Sequence, residues 1–400
     1  MLDWQRLLDE IFAKWVPDRA LADRLRAEIP GWVAPRGPRK RTLNLRAIQE
    51  PVPGRRLRAI FQELWPGYRS WYMRDGEDAR PTLAEAHRAL QEHMPELEST
   101  WKRIVEVTGA EELAARMLTM YEPPPLVRGC SQVALPGEAA LLRNYDYDAN
   151  LFDGVLLSTR FTERRVIGTS DQLWGLLDGI NDSGLAASLT FGGRREVGPG
   201  FGIPIVLRYL LESCASVPEA VTQLSRLPIH LAYNVTLLDR NGDYATVFVG
   251  PDRPARVVRD RGTTNHQGSV DWPAHAEWTR SVERLELLEG MLKRQDVDAD
   301  EVAAAMLRPP LRATDYDGGF GTLYTAVYRA AEGSVEYRWP GSAWQLSFDD
   351  FPEEERLVSL DGEGVRDAPG PVHLSRRQIL EEVAAHRMTP EAGAQLLDVD

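Results

Sequence analysis

The residues best suited to chemistry in this sequence lie around one of its two cysteines. Cys130 follows a glycine at the start of a predicted strand, and a turn at 136–138 predicts a hairpin that returns Arg143 and Asp146 towards it. Nearby cations favour the thiolate and lower the pKa of a cysteine. Cys130 is therefore a candidate nucleophile, and a core cysteine on a strand is the alternative.

The second strand of this hairpin is unusually polar. Side chains alternate along a strand, so Asn144 and Asp146 are expected on one face and Arg143 on the other, unless the strand bulges. Each of these groups would need a polar partner if it were buried. A functional site would explain these polar residues, and a solvated edge strand is the alternative explanation.

Two later stretches also carry candidate residues. Asn265 and His266 follow a predicted strand, and an asparagine amide can donate to a developing oxyanion, although a turn asparagine fits equally well. Arg280 and Arg284 stand one helical turn apart, where a surface pair with Glu283 is the other interpretation.

The elements that must position these residues change character along the chain. Residues 1 to about 122 are predicted to be mostly helical, with a capping box at Thr82 and Glu85. Prolines 123–125 make the chain extended, and strands, two helices, strands, a helix and strands follow. Hairpins are expected at Asn241-Gly242 and Glu332-Gly333. This order predicts an α+β fold with antiparallel sheets covered by helices.

Composition excludes several classes of protein. A net charge of −13 over 400 residues argues against binding nucleic acid. No apolar run reaches the roughly 18 residues of a membrane span, and the N-terminus lacks the pattern of a secretory signal, so we expect a cytoplasmic protein. Cys130 and Cys214 make neither a disulfide framework nor a metal motif, and Cys214 is expected to be an inert buried thiol on an apolar helix.

Several stretches together resemble the N-terminal nucleophile (Ntn) hydrolases. More specifically, they resemble the autoproteolytic acyltransferase/hydrolase family typified by isopenicillin N acyltransferase, related to choloylglycine hydrolases and acid ceramidase. The matching stretches occur in the order of that family: GCSQ (129–132), LLRNYDYD (141–148), GLLDGINDSGLAASLTFGG (175–193), FGIPIVLRYLLESCASVPEAV (201–221), TTNHQ (263–267), SVERLELL (281–288) and TLYTAVYRAAEGSVEYRWPG (322–341).

The resemblance implies a fold, a processing event and an organisation of the chain. The fold is a four-layer αββα sandwich of two antiparallel sheets, preceded by a helical region. The chain itself is expected to cut the Gly129–Cys130 bond through an N-to-S acyl shift. The expected units are a helical propeptide or small subunit at 1–129, a catalytic domain at 130–348, and an acidic linker with a C-terminal helical tail at 349–400. A capping box at Ser375 and Gln378 is expected to begin that last helix.

The resemblance also implies the site residues. Cleavage frees the α-amine of Cys130, whose pKa of about 7.7–8.0 suits a general base near neutral pH, so no catalytic histidine is needed. The implied roles are these: Cys130 is the nucleophile, Arg143 sits beside the thiol and substrate, Asp146 holds the α-ammonium, Asn265 donates to the oxyanion, and Arg284 is the late structural or catalytic arginine, with Arg280 as second choice.

The substrate-binding residues are less determined by the resemblance. Asn144, Thr190 and Phe191 are the candidates, and Thr190 stands where the family often has asparagine or tyrosine, so a backbone N–H is an alternative donor to the oxyanion. Asn181 is expected to be a turn residue. The expected partners are a small N-acyl substrate and the N-terminal segment of the chain itself, with no nucleic acid, membrane, cofactor or metal, and with a homo-oligomer left open.

The expected activity is cleavage of a linear amide or thioester through an acyl-Cys130 intermediate, by hydrolysis or by acyl transfer. Two alternatives belong to other classes. The chain could be an uncleaved, non-catalytic relative that binds a ligand or partner. It could also be a papain-like cysteine hydrolase using His266, although such cysteines begin helices and Cys130 begins a strand.

Overall fold

The computed structural model describes residues 41–127, 129–316, 319–361 and 365–367. The N-terminal helix predicted around Trp4–Trp15, the cation Arg128 and the C-terminal helix predicted from Ser375 lie outside these residues. Within the described part of the chain, no helix is both long enough and apolar enough to cross a membrane.

The helices fall into a group before Cys130 and a group after it. The first group begins where expected, because Thr82 and Glu85 form the predicted capping box, with 3.3 Å from the Glu85 N–H to Thr82 Oγ1. In chain order the helices are α1 (Arg55–Tyr72), α2 (Leu83–His93), α3 (Glu98–Thr108), α4 (Glu112–Leu118), α5 (Ile203–Ser213), α6 (Val217–Arg226), α7 (Pro273–Trp278), α8 (Ser281–Leu292) and α9 (Ala299–Met306).

The strands follow the predicted hairpins at 136–138, Asn241-Gly242 and Glu332-Gly333. In chain order they are β1 (Thr42–Glu50), β2 (Gly129–Leu135), β3 (Ala140–Tyr147), β4 (Val155–Thr159), β5 (Val166–Asp171), β6 (Gly175–Asn181), β7 (Leu185–Phe191), β8 (Tyr233–Asp239), β9 (Tyr244–Val249), β10 (Arg256–Val258), β11 (Gly262–Thr263), β12 (Thr314–Asp315), β13 (Phe320–Arg329), β14 (Ser334–Trp339), β15 (Ser342–Ser347), β16 (Glu355–Ser359) and β17 (Val365–Asp367).

These strands form two sheets. The larger has the order β10-β9-β8-β7-β6-β5-β4-β1-β16-β17 and the smaller the order β11-β2-β3-β13-β14-β15, with β12 beside β13. Every neighbouring pair is antiparallel except β1 and β4, which are parallel. In the smaller sheet, β2 carries the candidate nucleophile and the neighbouring β3 is its polar partner strand.

Three apolar layers hold the molecule together. One packs α1 to α6 against the outer face of the larger sheet, the second lies between the sheets, and the third packs α8 and α9 against the outer face of the smaller sheet. Helices therefore cover both outer faces and bury the apolar side chains that each sheet presents there. The predicted four-layer αββα sandwich, preceded by a helical region, is confirmed.

Two segments differ from the sequence-based description. Residues 42–50, within the region expected to be mostly helical, form β1, where Leu43, Leu45 and Ala47 alternate with more exposed residues and enter the layer between the sheets. Residues 355–359, within the expected acidic linker, form β16 and pair with β1. β1 and β16 pair although more than 300 residues separate them in the chain. A local sequence pattern does not predict a pairing between such distant segments.

Candidate active site

Cys130 lies at the start of β2 in the layer between the sheets, and its side chain is 0% exposed. The register pairs Cys130 with Tyr145, Gly129 with Asp146, and Ser131 with Asn144. Paired residues of neighbouring strands share a face, so Cys130 and Tyr145 lie on the same face of the smaller sheet. That face packs against the larger sheet. Ser131, Asn144 and Asp146 look the other way, towards the helices, as the alternation predicted.

Arg143 reaches the thiol from β3. Its Nη2 donates to Cys130 Sγ over 3.2 Å, and its Nη1 donates to Asp178 Oδ2 over 2.5 Å and to the Leu177 carbonyl over 2.8 Å. The guanidinium carbon also lies 4.9 Å from the centre of the Tyr145 ring. These contacts hold the cation at one position beside the sulfur.

Asp178 is the residue of this site that the sequence reasoning missed. It is fully buried on β6 and accepts from the hydroxyls of Tyr324 and Tyr328 over 2.6 Å each, in addition to Arg143. A buried carboxylate needs such a set of donors, because burial without them is costly. The signal in the sequence was a single aspartate inside the apolar strand GLLDGIN.

A second polar cluster lies on the opposite face of β2 and β3. Arg284, from α8, donates to Asp146 Oδ2 over 2.6 Å, to Ser131 Oγ over 2.9 Å and to Asn265 Oδ1 over 2.7 Å. Thr322 Oγ1 donates to the other carboxylate oxygen of Asp146 over 2.6 Å. The structure thus brings Asp146, Asn265 and Arg284 together through hydrogen bonds from one guanidinium group.

Asn265 connects this cluster to the residue that carries the thiol. Its carboxamide oxygen accepts from the backbone N–H of Cys130 over 3.1 Å, and its Nδ2 donates to the Phe191 carbonyl over 3.1 Å. Its own N–H donates to Ser281 Oγ over 2.8 Å, which anchors the loop to the first residue of α8. Asn265 therefore lies directly against the Gly129–Cys130 peptide bond.

The predicted substrate-binding residues have other tasks in the intact chain. Asn144 faces away from the thiol, donates to the Met306 carbonyl over 2.7 Å and accepts from Thr325 over 2.7 Å, so it holds the end of α9. Thr190 donates to the Thr264 carbonyl over 2.8 Å. The structure therefore does not bring Asn144 to Cys130, because alternation along β3 turns its side chain to the helical face.

Phe191 joins a group of buried aromatic rings. Its ring meets His275 edge-on, with 5.0 Å between ring centres, and it also lies 6.4 Å from Trp272. Further along, Trp278 packs against Phe320 with 4.7 Å between ring centres. Phe191 and Trp272 are buried in the apolar layer on the outer face of the larger sheet, whereas the Cys130 thiol lies between the sheets, so the structure does not bring the Phe191 ring to the thiol.

The electrostatic expectation for the thiol was wrong for the intact chain. Burial raises the pKa of Cys130, and the Asp146 carboxylate raises it further, against the opposing effect of Arg143. The sequence showed the cation but not the complete removal of the thiol from water, which disfavours the charged form. In the intact chain the raised pKa therefore favours the protonated thiol of Cys130, which accepts a hydrogen bond from Arg143.

The remaining candidates bond to groups other than the Cys130 thiol. His266 Nδ1 pairs with Ser281 Oγ over 2.8 Å, and burial lowers the pKa of its ring. Arg280 is exposed and forms a pair with Glu283 over 2.6 Å, so it is the surface member of the two arginines. Asn181 bonds to the backbone of its own turn, as expected. Among the described residues, no group of three His, Cys, Asp or Glu side chains could hold a metal ion.

Comparison with known proteins supplies one family. The model of the acyl-coenzyme A:6-aminopenicillanic acid acyl-transferase family matches residues 133–344. The matched range begins three residues after Cys130, so the role of that cysteine depends on the geometry above. No curated protein has a significant match to the sequence.

Three solved structures are similar at low identity. A point mutant of the conjugated bile acid hydrolase from Clostridium perfringens is 14% identical, covering 60% of this chain and 97% of its own, with a TM-score of 0.40. Penicillin V acylase from Agrobacterium tumefaciens is 15% identical, with 60% and 98% covered and a TM-score of 0.38. The Caenorhabditis elegans ortholog of N-acylethanolamine-hydrolyzing acid amidase is 15% identical, with 60% and 100% covered and a TM-score of 0.39.

Proposed function

Since the chain belongs to the acyl-coenzyme A:6-aminopenicillanic acid acyl-transferase family, we propose that it is a self-processing cysteine hydrolase or acyltransferase of linear amides or thioesters. One observation carries the proposal. The thiol of Cys130 contacts Arg143 over 3.2 Å while the backbone nitrogen of the same residue contacts Asn265 over 3.1 Å. The prospective nucleophile, the thiol, and the prospective base, the backbone nitrogen, thus belong to one residue. Each is held by a different partner.

Self-cleavage begins with attack of Cys130 Sγ on the carbonyl carbon of Gly129. The S–C bond forms, the C–N bond to Cys130 breaks, and the thiol proton passes to the departing nitrogen. Water then hydrolyses the thioester, which leaves a carboxylate on Gly129 and a free thiol on Cys130. Arg143 would stabilise the thiolate, and Asn265 would hold the nitrogen that becomes the α-amine.

In the mature site, the α-amine takes the thiol proton as the sulfur attacks the substrate carbonyl, and it returns a proton to the leaving amine. Asn265, against the reacting bond, is the proposed donor to the oxyanion. Asp146 is the proposed counter-charge of the ammonium, supported by the register that places it opposite Gly129. Arg284 positions both residues through the hydrogen bonds described above.

The N-terminal fragment is proposed to remain attached after cleavage. Its strand β1 lies between β4 and β16 in the larger sheet, and its helices α1 to α4 share the outer apolar layer with α5 and α6. Separation would expose that layer and break two strand pairings. The complete burial of Cys130 supports the proposal that the intact chain is an inactive precursor, because a buried thiol is closed to substrate.

A screen of N-acyl amino acids, acyl-homoserine lactones, penicillins and bile-salt conjugates tests the proposed activity. The expected result is release of the amine from one class, with an acyl adduct on the fragment that begins at Cys130. An added amine acceptor distinguishes transfer from hydrolysis. An uncut chain that turns over none of these compounds would instead favour the non-catalytic alternative.

The rate of self-cleavage is expected to rise with pH. Burial raises the pKa of the Cys130 thiol, so the reactive thiolate is scarce at neutral pH and increases as pH approaches that raised pKa. The rate should therefore climb through neutral pH and level off only above about pH 8.5, the ordinary thiol pKa. Loss of the full-length band over time, at a series of pH values, measures this.

The control for this series is the thermal unfolding temperature at each pH, which confirms that the chain stays folded. A cleavage rate that is constant, or that falls as pH rises, would contradict the role of the thiolate.

A further inference from the structure

Gly129 precedes the reactive cysteine for a steric reason. Its backbone is outside the left-handed region, so its conformation does not demand glycine. A Cβ atom built on Gly129 would stand only 2.4 Å from both Cε2 and Cζ of the Phe320 ring. That distance is far inside van der Waals contact, so the ring occupies the space that any side chain at position 129 would need.

The Phe320 ring is held by packing against its neighbours. It is buried at the start of β13 and packs against Trp278, with 4.7 Å between the two ring centres. The next residue, Gly321, is equally confined, because a Cβ there would stand 2.1 Å from the Tyr316 ring. A side chain at position 129 would therefore have to displace the end of the Phe320 side chain from its packing against Trp278, and overpacking of this kind is destabilising.

Self-cleavage and substrate turnover share one chemical species, a thioester between an acyl group and Cys130 Sγ. In self-cleavage the α-carbon of that acyl group is the Cα of Gly129. From the proposed function, on which this step rests, we propose that Phe320 also screens the α-carbon of the substrate acyl group. The ring admits acyl groups with an unbranched α-methylene and rejects those with a substituent where an L side chain would stand.

The substrate class is therefore amides or thioesters of acids whose α-carbon is a CH₂ group, such as straight-chain, arylmethyl or glycyl acids. Acyl groups of the other L-amino acids are excluded. Phe320 is a specificity residue in this account, because it contacts the acyl group and takes no part in bond making.

The processing test uses Gly129→Ala. This change is expected to slow self-cleavage by about 10- to 100-fold, because the added methyl must displace the ring in the reacting geometry. Adding Phe320→Ala to it should restore most of the rate, since the ring that clashes is gone. The matched control is Gly137→Ala in the following turn, where an added Cβ meets no atom within 4 Å and the rate should not change.

The turnover test uses the p-nitroanilides of N-acetylglycine, N-acetyl-L-alanine and N-acetyl-D-alanine, whose acyl groups imitate residue 129. Processed wild type should favour the glycine anilide over the L-alanine anilide by about 10- to 100-fold in kcat/KM, and Phe320→Ala should abolish that preference. Equal cleavage of the glycine and L-alanine anilides by wild type would overturn the inference and leave the proposed function intact.

If no anilide is turned over, the processing test decides. Gly129→Ala cleavage at the wild-type rate, or a slow Gly129→Ala chain that Phe320→Ala does not rescue, overturns the inference. Failure of the wild-type chain itself to cleave would instead remove the proposed function.

Discussion

A Cys130→Ala chain is expected to stay at full length and to lose turnover of every N-acyl substrate that the wild type accepts. The substitution removes the only sulfur that Arg143 contacts among the described residues. Loss of the nucleophile lowers kcat by on the order of 10⁶-fold in a serine protease that also works through an acyl-enzyme. Initial rates with the best substrate of the screen, together with intact masses, measure both effects.

The matched control is Cys214→Ala. Cys214 is also buried, but it lies at the end of α5 in the outer apolar layer, away from Arg143. It should process and turn over substrate like the wild type. A Cys130→Ala chain with substantial turnover would contradict the account. A processed His266→Ala chain without turnover would favour the papain-like alternative.

An Arg284→Leu substitution is expected to cost about 3–5 kcal/mol in the free energy of unfolding, because it leaves the Asp146 carboxylate buried without its cation. Arg284 bonds to Asp146 over 2.6 Å, and both side chains are almost completely buried. The change also removes the donor that holds Asn265, so self-cleavage should slow as well. Urea unfolding in a Cys130→Ala background measures stability on an uncut chain.

Arg280→Leu is the control for that substitution. Arg280 stands one turn earlier on the same helix region and pairs with Glu283, with about half of each side chain exposed. Exposed pairs contribute little to stability, so the midpoint of unfolding should hardly move. Equal decreases in the free energy of unfolding for Arg284→Leu and Arg280→Leu would contradict the role of Arg284 as the buried partner of Asp146.

The local features of the site were readable from the sequence. The turn at 136–138 and the alternation along LLRNYDYD predicted that Arg143 would oppose Asn144 and Asp146, and the register of β2 and β3 has this arrangement. The sequence pattern does not show whether Arg280 or Arg284 is the buried arginine, because both lie near the start of one helix. Only the packing of α8 on β2 decides which arginine is buried.

What the sequence could not supply depends on contacts between distant segments. Asp178 is buried beside Arg143 because Tyr324 and Tyr328, about 150 positions later, provide its donors. The pKa of Cys130 is raised because the thiol is buried between two sheets, whereas the local sequence shows only nearby cations. Strands β1 and β16 likewise pair across most of the chain.

The most direct test of the central claim is the intact mass and N-terminal sequence of the purified wild-type chain. The account predicts two fragments that copurify, the larger beginning Cys-Ser-Gln at Cys130, with masses that sum to the 44.9 kDa chain plus one water. A single uncut 44.9 kDa chain that does not change with time, and that matches Cys130→Ala in every respect, would contradict it.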